Sequence, residues 1–300
     1  MKKLFLISST AGASEFYFNK SEIEEVYRIN NRLDEIEVFE TEYKGHLEEI
    51  VNDFLDEPYD GKVIILLGGD GSLNEVINLT YGYDIAIGLI PTGTGNDFAK
   101  NFDYKNFKIE DTFDITIRPI DLIKVNNKYC VNVTSLGFDT EVLKTAYDYL
   151  DRDKSLGKKA YLLAVRDRIK NLTYQKLTMD LHLVDGSKVR LEDEFLISAI
   201  CNGSFYGSGF NPAPAARVDD GLLNLVLAYR FPKWKLLPLI LKYKNGRHQS
   251  SPYLDEFKVI SGTLKSDRDF LANNDGEIFV DDKIDFKIIP KSLNLAYFGK

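Results

Sequence analysis

The chain is poor in the residues that most often carry reactive chemistry. Only three histidines occur in 300 residues, His46, His182 and His248, widely separated, and neither HExxH nor GxSxG is present. Metallohydrolase and serine hydrolase mechanisms therefore have little to stand on. The two cysteines, Cys130 and Cys201, sit far apart in apolar, strand-like surroundings, which favours buried free thiols in a reducing compartment over a disulfide. Positive charge is in deficit, with 38 Lys and Arg against 46 Asp and Glu and a net charge of −8. A general nucleic-acid binder or a polybasic membrane anchor needs the opposite balance. No apolar run approaches the roughly 18 residues that would span a bilayer, and the apolar opening is too short for a secretory signal, so a cytoplasmic location without a transmembrane segment is expected. Repeats and low-complexity segments are also missing.

What is present is ample core and a glycine-rich turn. With 44% hydrophobic and 28% charged residues the chain can fold as a globule, and 300 residues favour two domains. Residues 66–79 read LLGGDGSLNEVINL. An apolar strand over 63–67 runs into Gly68, Gly69, Asp70 and Gly71, and Ser72 is a candidate N-cap for a helix that turns Val76, Ile77 and Leu79 inward. A tight glycine turn at a helix N-terminus suits phosphate, because its main-chain N–H groups are accessible and carry partial positive charge. Asp70 repels phosphate unless a hydrated divalent cation stands between them, which magnesium with a nucleotide supplies. The competing reading is an ordinary turn joining strand to helix in an α/β protein.

Around this turn the first part of the chain alternates strands (2–7, 35–40, 63–67, 85–90) with helices (21–33, 43–55), as a parallel sheet with right-handed crossovers requires. Ligands bind beyond the carboxyl ends of such strands. A second turn, PTGTGNDFAK at 91–100, follows the 85–90 strand; Asn96 or Asp97 can start a helix there, and Thr94 and Asn96 offer short polar groups. GxGxxG is not completed at Gly93 and Gly95, which excludes a dinucleotide oxidoreductase.

After about residue 118 short alternating stretches dominate: 120–125, 129–134, 176–184, 195–199, 223–228, 257–263, 277–280, 284–288 and 293–297. They predict a mostly antiparallel sandwich or barrel, interrupted by helices at 157–172 and 233–243. The second helix, in FPKWKLLPLILKY, reads foremost as a core helix covering the β domain and secondly as an interfacial one. The fold expected is an N-terminal parallel-sheet, Rossmann-like nucleotide domain (1–118) and a C-terminal antiparallel β-sandwich (119–300, its last residues returning to the first domain), with the active site in the cleft between them. Asp121 is a candidate to reach the glycine turn. RVDDGLL at 217–223 is an acidic turn suited to a hard cation or an ordinary hairpin. In NDGE, Asp275 and Glu277 would share one face of a strand.

Taken in order, GGDGSLNEVINL (68–79), PTGTGNDFAK (91–100), NVTSLGFD (132–139), CNGSFYGSGFNPAPAARVDDGLLNL (201–225) and NDGE (274–277) make the chain resemble the diacylglycerol kinase catalytic family, particularly bacterial lipid kinases related to diacylglycerol and sphingosine kinases. The resemblance implies ATP-dependent phosphorylation of a lipid hydroxyl, diacylglycerol-like, reached at a membrane surface. It implies that Gly68, Gly69, Asp70, Gly71, Ser72, Leu73 and Asn74, with Thr41, Thr94 and Asn96, hold ATP. Asp70, Asp97 and Asp121 would organise a catalytic Mg2+ through waters, Asp275 would accept the substrate proton with Glu277 assisting or replacing it, and Arg217, Asp220 and Leu222 would bind a structural Mg2+. The chain departs from the family at its first loop, where Ser8, Ser9, Thr10, Ala11 and Gly12 stand in place of NPxSG and the first nearby cation is Lys20. An ATP-binding sensor without catalysis and a kinase of a soluble hydroxylated metabolite are the alternatives. A homodimer is compatible with the sequence.

Overall fold

A computed structural model describes residues 1–8, 18–93, 95–157 and 159–298. The chain divides into two compact units, Met1–Ile120 with Lys291–Lys300, and Asp121–Pro290.

The first unit is built on strands β1 (Lys2–Ile7), β2 (Ile36–Glu40), β3 (Lys62–Gly68) and β4 (Ile85–Pro91), separated by helices α1 (Lys20–Ile29), α2 (His46–Asp56) and α3 (Asp70–Thr80). The strands pair in parallel in the order β2, β1, β3, β4, and β4 takes the returning chain as a fifth parallel neighbour through Ala86 with Asn294 and Ile87 with Leu295. Strands covered on both faces need apolar side chains on both, and β4 is buried along its whole length. Helix α1 starts at a capping box, where the Asn19 side chain accepts from the Glu22 N–H and the Glu22 carboxylate accepts from the Asn19 N–H. Helix α2 turns Leu47, Ile50, Val51 and Phe54 inward.

The predicted start of α3 needs correction. Gly69, not Ser72, holds the N-cap position, and the Leu73 N–H closes the first turn on the Gly69 carbonyl at 3.0 Å. Near Asn96 and Asp97 only a one-turn 3-10 helix, Phe98–Asn101, forms.

The second unit is an antiparallel sandwich. Strand β5 (Ile115–Val125) leads into it, and β6 (Lys128–Cys130), β7 (Val133–Gly137), β8 (Gln175–Leu183), β9 (Lys188–Cys201), β10 (Leu223–Tyr229), β11 (Leu254–Asn274) and β12 (Glu277–Phe298) follow. The long strands β9 and β11 change partners along their length. β9 pairs β8 with its first half and β7 with its last residues, and β11 passes from β10 to β8 and then to β7. Long strands that bend from one sheet into the next are how such sandwiches close their corners. One core, with Ile123, Leu181, Phe195, Leu225 and Phe286, fills the interior. A second lies between the sheet and helices α4 (Phe138–Arg152), α5 (Lys159–Arg168) and α6 (Leu236–Lys244).

Several local expectations change here. The stretches at 277–280, 284–288 and 293–297 are one strand, while 129–134 breaks into β6 and β7. Helix α4 has no counterpart among the predicted elements, although Phe138, Val142 and Ala146 recur at helical spacing and are buried. It follows β7 without a loop or a side-chain cap, because Gly137 turns the chain at φ 108°. Both cysteines are buried free thiols. Among the described residues no helix is long and apolar enough to cross a membrane.

A Cβ at Gly137 would lie 2.3 Å from the Leu196 carbonyl oxygen, on a backbone conformation that side chains disfavour. Gly137→Ala is expected to cost about 3 kcal/mol or more in denaturant unfolding; a change under about 0.5 kcal/mol, within the scatter of surface substitutions, would show that the turn relaxes freely.

Candidate active site

Because β1 to β4 run in parallel, their carboxyl ends gather their exits on one edge. There the Ser8 N–H donates to the Leu67 carbonyl at 2.9 Å, the Thr41 N–H to Ile7 at 2.9 Å, and the Thr92 and Gly93 N–H groups both to Gly68 at 3.0 and 3.3 Å. The Ser72 hydroxyl donates to Ser8 Oγ at 3.2 Å. The two glycine turns touch through their main chains. A Cβ on Gly93 would stand 2.6 Å from Gly69 Cα, and one on Gly69 would stand 3.2 Å from Gly93 Cα. These glycines are therefore required first by the contact between loops. Gly71, at the start of α3, is different: a Cβ there meets nothing within 4 Å among the described residues.

Asp70 joins the turns from the side. Its carboxylate accepts from the Asp97 N–H at 2.9 Å and the Phe98 N–H at 3.0 Å. Asp97 is itself paired with the Lys100 ammonium, which also donates to the Gly95 carbonyl at 2.8 Å. Asn96, at φ 50°, donates to the Gly93 carbonyl at 2.7 Å, while its buried Oδ1 and the Thr92 hydroxyl have no hydrogen-bond partner among the described residues. The edge thus gathers Thr41, Gly68 to Ser72 and Asn96, and adds Ser8 and Thr92. Leu73 does not present its side chain, which is fully buried, and its N–H is already spent. Asn74 is buried as well and accepts from Asn78 within α3. Thr94 and the 9–12 part of the first loop lie outside the described residues. Lys20, the first cation after that loop, pairs with Glu24 at 3.8 Å and lies over the Phe39 ring.

In the second unit main-chain amides hold the acidic residues. Asp121, in β5, is fully buried; its N–H donates to the Val218 carbonyl at 2.7 Å and its Oδ2 accepts from the Gly221 N–H at 2.7 Å. These bonds pack it against the turn that holds Arg217, Asp220 and Leu222. Asp220 accepts from the Leu222 N–H at 3.3 Å, and desolvation, with the Asp121 charge adding to it, holds its carboxyl above the usual range. Arg217 turns its guanidinium to Asp219 at 3.2 Å. No cluster of three or more His, Cys, Asp or Glu arranged for a metal exists among the described residues. A cation at this turn would have the Asp121 and Asp220 carboxylates and main-chain carbonyls to draw on.

The NDGE segment is a two-residue hairpin turn. Asn274 pairs with Glu277, and Asp275 and Gly276 take the corner at φ 49° and 97°. Asp275 and Glu277 consequently do not share a strand face as expected: the first sits in the turn and the second opens β12. The Asp275 carboxylate accepts three main-chain hydrogen bonds, from Val131 at 2.8 Å, Asn132 at 3.1 Å and Val133 at 2.9 Å. Asn202 carries this seat to Asp121, donating to the Asp121 carbonyl at 2.9 Å and the Val131 carbonyl at 2.7 Å. Asn273 donates to Ser135 and Thr140 at 2.8 Å each, and Thr134 donates to Asn274 at 2.8 Å. Glu277 is exposed and lies 3.5 Å from Lys128.

Sequence reasoning assigned no role to Asn132, Asn202, Asn273 or Asp139. Asp139 lies in the first turn of α4, where burial pushes its carboxyl up to about 6 against the lowering pull of the Ser135 and Tyr206 hydroxyls. A helix N-terminus favours the charged form, so desolvation is the larger effect here. The signal was present in NVTSLGFD and CNGS, whose polar residues interrupt otherwise apolar strands.

The diacylglycerol kinase catalytic domain matches residues 2–125, and the YegS C-terminal NAD kinase beta sandwich-like domain matches residues 132–297. A Shewanella frigidimarina protein named a probable lipid kinase, YegS-like, is 29% identical over 78% of this chain and 75% of its own length. The crystal structure of a diacylglycerol kinase from Bacillus anthracis has a TM-score of 0.70 at 16% identity, covering 99% of this chain and 96% of that one. The chain belongs to the diacylglycerol kinase catalytic family and is a lipid kinase of its YegS-like branch. Membership of a kinase family implies ATP as the phosphoryl donor.

Two outcomes are expected. Asp70→Asn leaves only one acceptor oxygen for two N–H donors and should speed amide exchange at Asp97 and Phe98 about 10-fold to 100-fold, the equivalent of about 1 to 3 kcal/mol; unchanged protection would show that the loops hold without the carboxylate. For Asp139 the folded value of about 6 lies above the ordinary 3.8. Its protonated form is thus favoured by folding, and that contribution is full below pH 3.8 and lost as pH rises through 6. Asp139→Asn should therefore gain on the parent protein by about 2 to 3 kcal/mol between pH 4 and pH 7, read from urea unfolding at both values; a pH-independent difference would refute the shift.

Proposed function

We propose that the protein transfers the γ-phosphate of ATP, with Mg2+, to the hydroxyl of a diacylglycerol-like lipid at a membrane surface. The observation that carries this is the pair of glycine turns pinned by Asp70 at the N-terminus of α3, with the Ser72 hydroxyl on Ser8 and Asn96 in the second turn. The fit to a nucleotide is good. Main-chain N–H groups and hydroxyls suit phosphate oxygens. With Lys100 engaged by Asp97 and Lys20 by Glu24, main chain and helix dipole carry the clamp.

For the metal, the fit is outer-sphere. Asp70 already binds two amides and Asp97 an ammonium, so these carboxylates would hold a magnesium ion through its waters. Such an ion would supply charge neutralisation for the transferring group. The protein's own part is alignment and proton removal. Asp275 shares its charge among three amides and is suited to holding the hairpin; Glu277, exposed two residues on, is the better proton acceptor for the lipid hydroxyl. The structural-cation role of Arg217, Asp220 and Leu222 is supported by the Asp121 carboxylate, which packs against their turn.

Incubation with radiolabelled ATP and Mg2+ over diacylglycerol, monoacylglycerol, phosphatidylglycerol, sphingoid base and polyprenol tests the reaction. Transfer to diacylglycerol is expected. ATP binding with no transfer to any lipid would favour a nucleotide sensor, and turnover of a soluble alcohol without detergent or vesicles a metabolite kinase. Glu277→Gln should lower kcat about 10² to 10⁴-fold with ATP affinity within about twofold; a kcat within about threefold of the parent's, far short of a lost general base, would remove Glu277 from the proton's path.

A further inference from the structure

Helix α6 and the turn before it are two-faced. Leu236, Leu239 and Tyr243 are buried against the second core of the second unit. Leu237 and Leu241, four residues apart and so on one side of the helix, are 63% and 62% exposed, and Trp234, in the 3-10 turn that leads into it, is 76% exposed. The expectation of a core helix is thus met on one face only. Large apolar side chains scattered singly on a surface need no explanation, but two in register on one helix with an exposed tryptophan in the turn before it do.

The charge around this stripe is equally lopsided. From Arg230 to Leu254 the sequence holds six basic residues and no Asp or Glu, in a chain whose net charge is −8. Arg230 is neutralised by Glu194, and Lys235 donates to the Tyr253 hydroxyl. Lys233, Lys242, Lys244 and Arg247 are exposed and have no ion-pair partner among the described residues. An apolar stripe framed by uncompensated cations asks for a surface that is apolar within and continuously negative outside. A second copy meeting this face symmetrically would set cations against the same cations. An anionic bilayer satisfies both demands: acyl chains take Leu237 and Leu241, the interface takes Trp234, and lysine stems extend to the headgroups.

We propose that the second unit docks on anionic lipid bilayers through Trp234 and the Leu237 and Leu241 face of α6, with Lys233, Lys242, Lys244 and Arg247 reading the negative headgroups. The proposal rests on the lipid-kinase reading for its purpose, though docking needs no catalysis. It also predicts that the protein selects membranes by their charge before it meets its substrate within them.

Trp234 is the only tryptophan in the chain, so its fluorescence reports on this face directly. With the full chain and vesicles of equal phosphatidylglycerol and phosphatidylcholine, a blue shift and co-sedimentation are expected, both much weaker with phosphatidylcholine alone and at high salt. Lys242→Gln with Lys244→Gln should weaken vesicle affinity about fivefold per lysine. Leu237→Ser with Leu241→Ser should abolish co-sedimentation while circular dichroism and thermal unfolding stay as in the parent. The two leucine substitutions should also spare turnover of water-soluble dihexanoylglycerol and reduce turnover of diacylglycerol in vesicles. A blue shift without transfer to either substrate would support docking and overturn the catalytic reading instead. An unshifted Trp234 emission with anionic vesicles, or undiminished binding by the leucine variant, overturns the proposal. So does a leucine variant that turns a dimer into a monomer without changing vesicle binding.

Discussion

The candidate site depends on one carboxylate satisfied by main chain. Asp70 leaves the first glycine turn and accepts the amides of Asp97 and Phe98 in the second, 27 and 28 residues on. Two loops that each cost conformational entropy are thereby held as one rigid surface, and only glycine at positions 69 and 93 lets their backbones close to contact. The sequence suggests a role for Asp70 toward magnesium; what its carboxylate does in the structure is hold the two turns together.

The second unit repeats the device with different parts. Asp275 collects three amides from the segment before β7, and Asn202 ties that segment to Asp121, whose carboxylate closes on the Gly221 amide. Asp121 and Asp275, which the sequence assigned to a catalytic metal and to proton transfer, are here joined through the Asn202 side chain into one polar frame. Buried polar groups are costly singly and firm when mutually satisfied. Such a frame fixes the hairpin from which Glu277 leads into β12.

Much of the architecture was legible. Apolar runs at 63–67 and 85–90 are signals within a single element, and they become β3 and β4 with bounds shifted by a residue or so. Helix α4 was missed although its apolar spacing was present, because Gly137 turns strand into helix with no polar cap or loop to punctuate the change. The three stretches read as separate at the end of the chain are a single strand, since polar residues on an exposed face look like turns in sequence. Helix α6, expected to cover the core or lie at an interface, buries one face and exposes the other.

The sequence by itself determined the family, the order of the elements and which loops are rich in glycine, because each of these is a matter of neighbouring residues or of motifs in fixed order. Only the tertiary structure decided what the chemical side chains hold. The partners of Asp121 and Asp275 lie 100 and 142 to 144 residues away, and pairings at that distance arise when strands are laid side by side, not from any pattern along the chain.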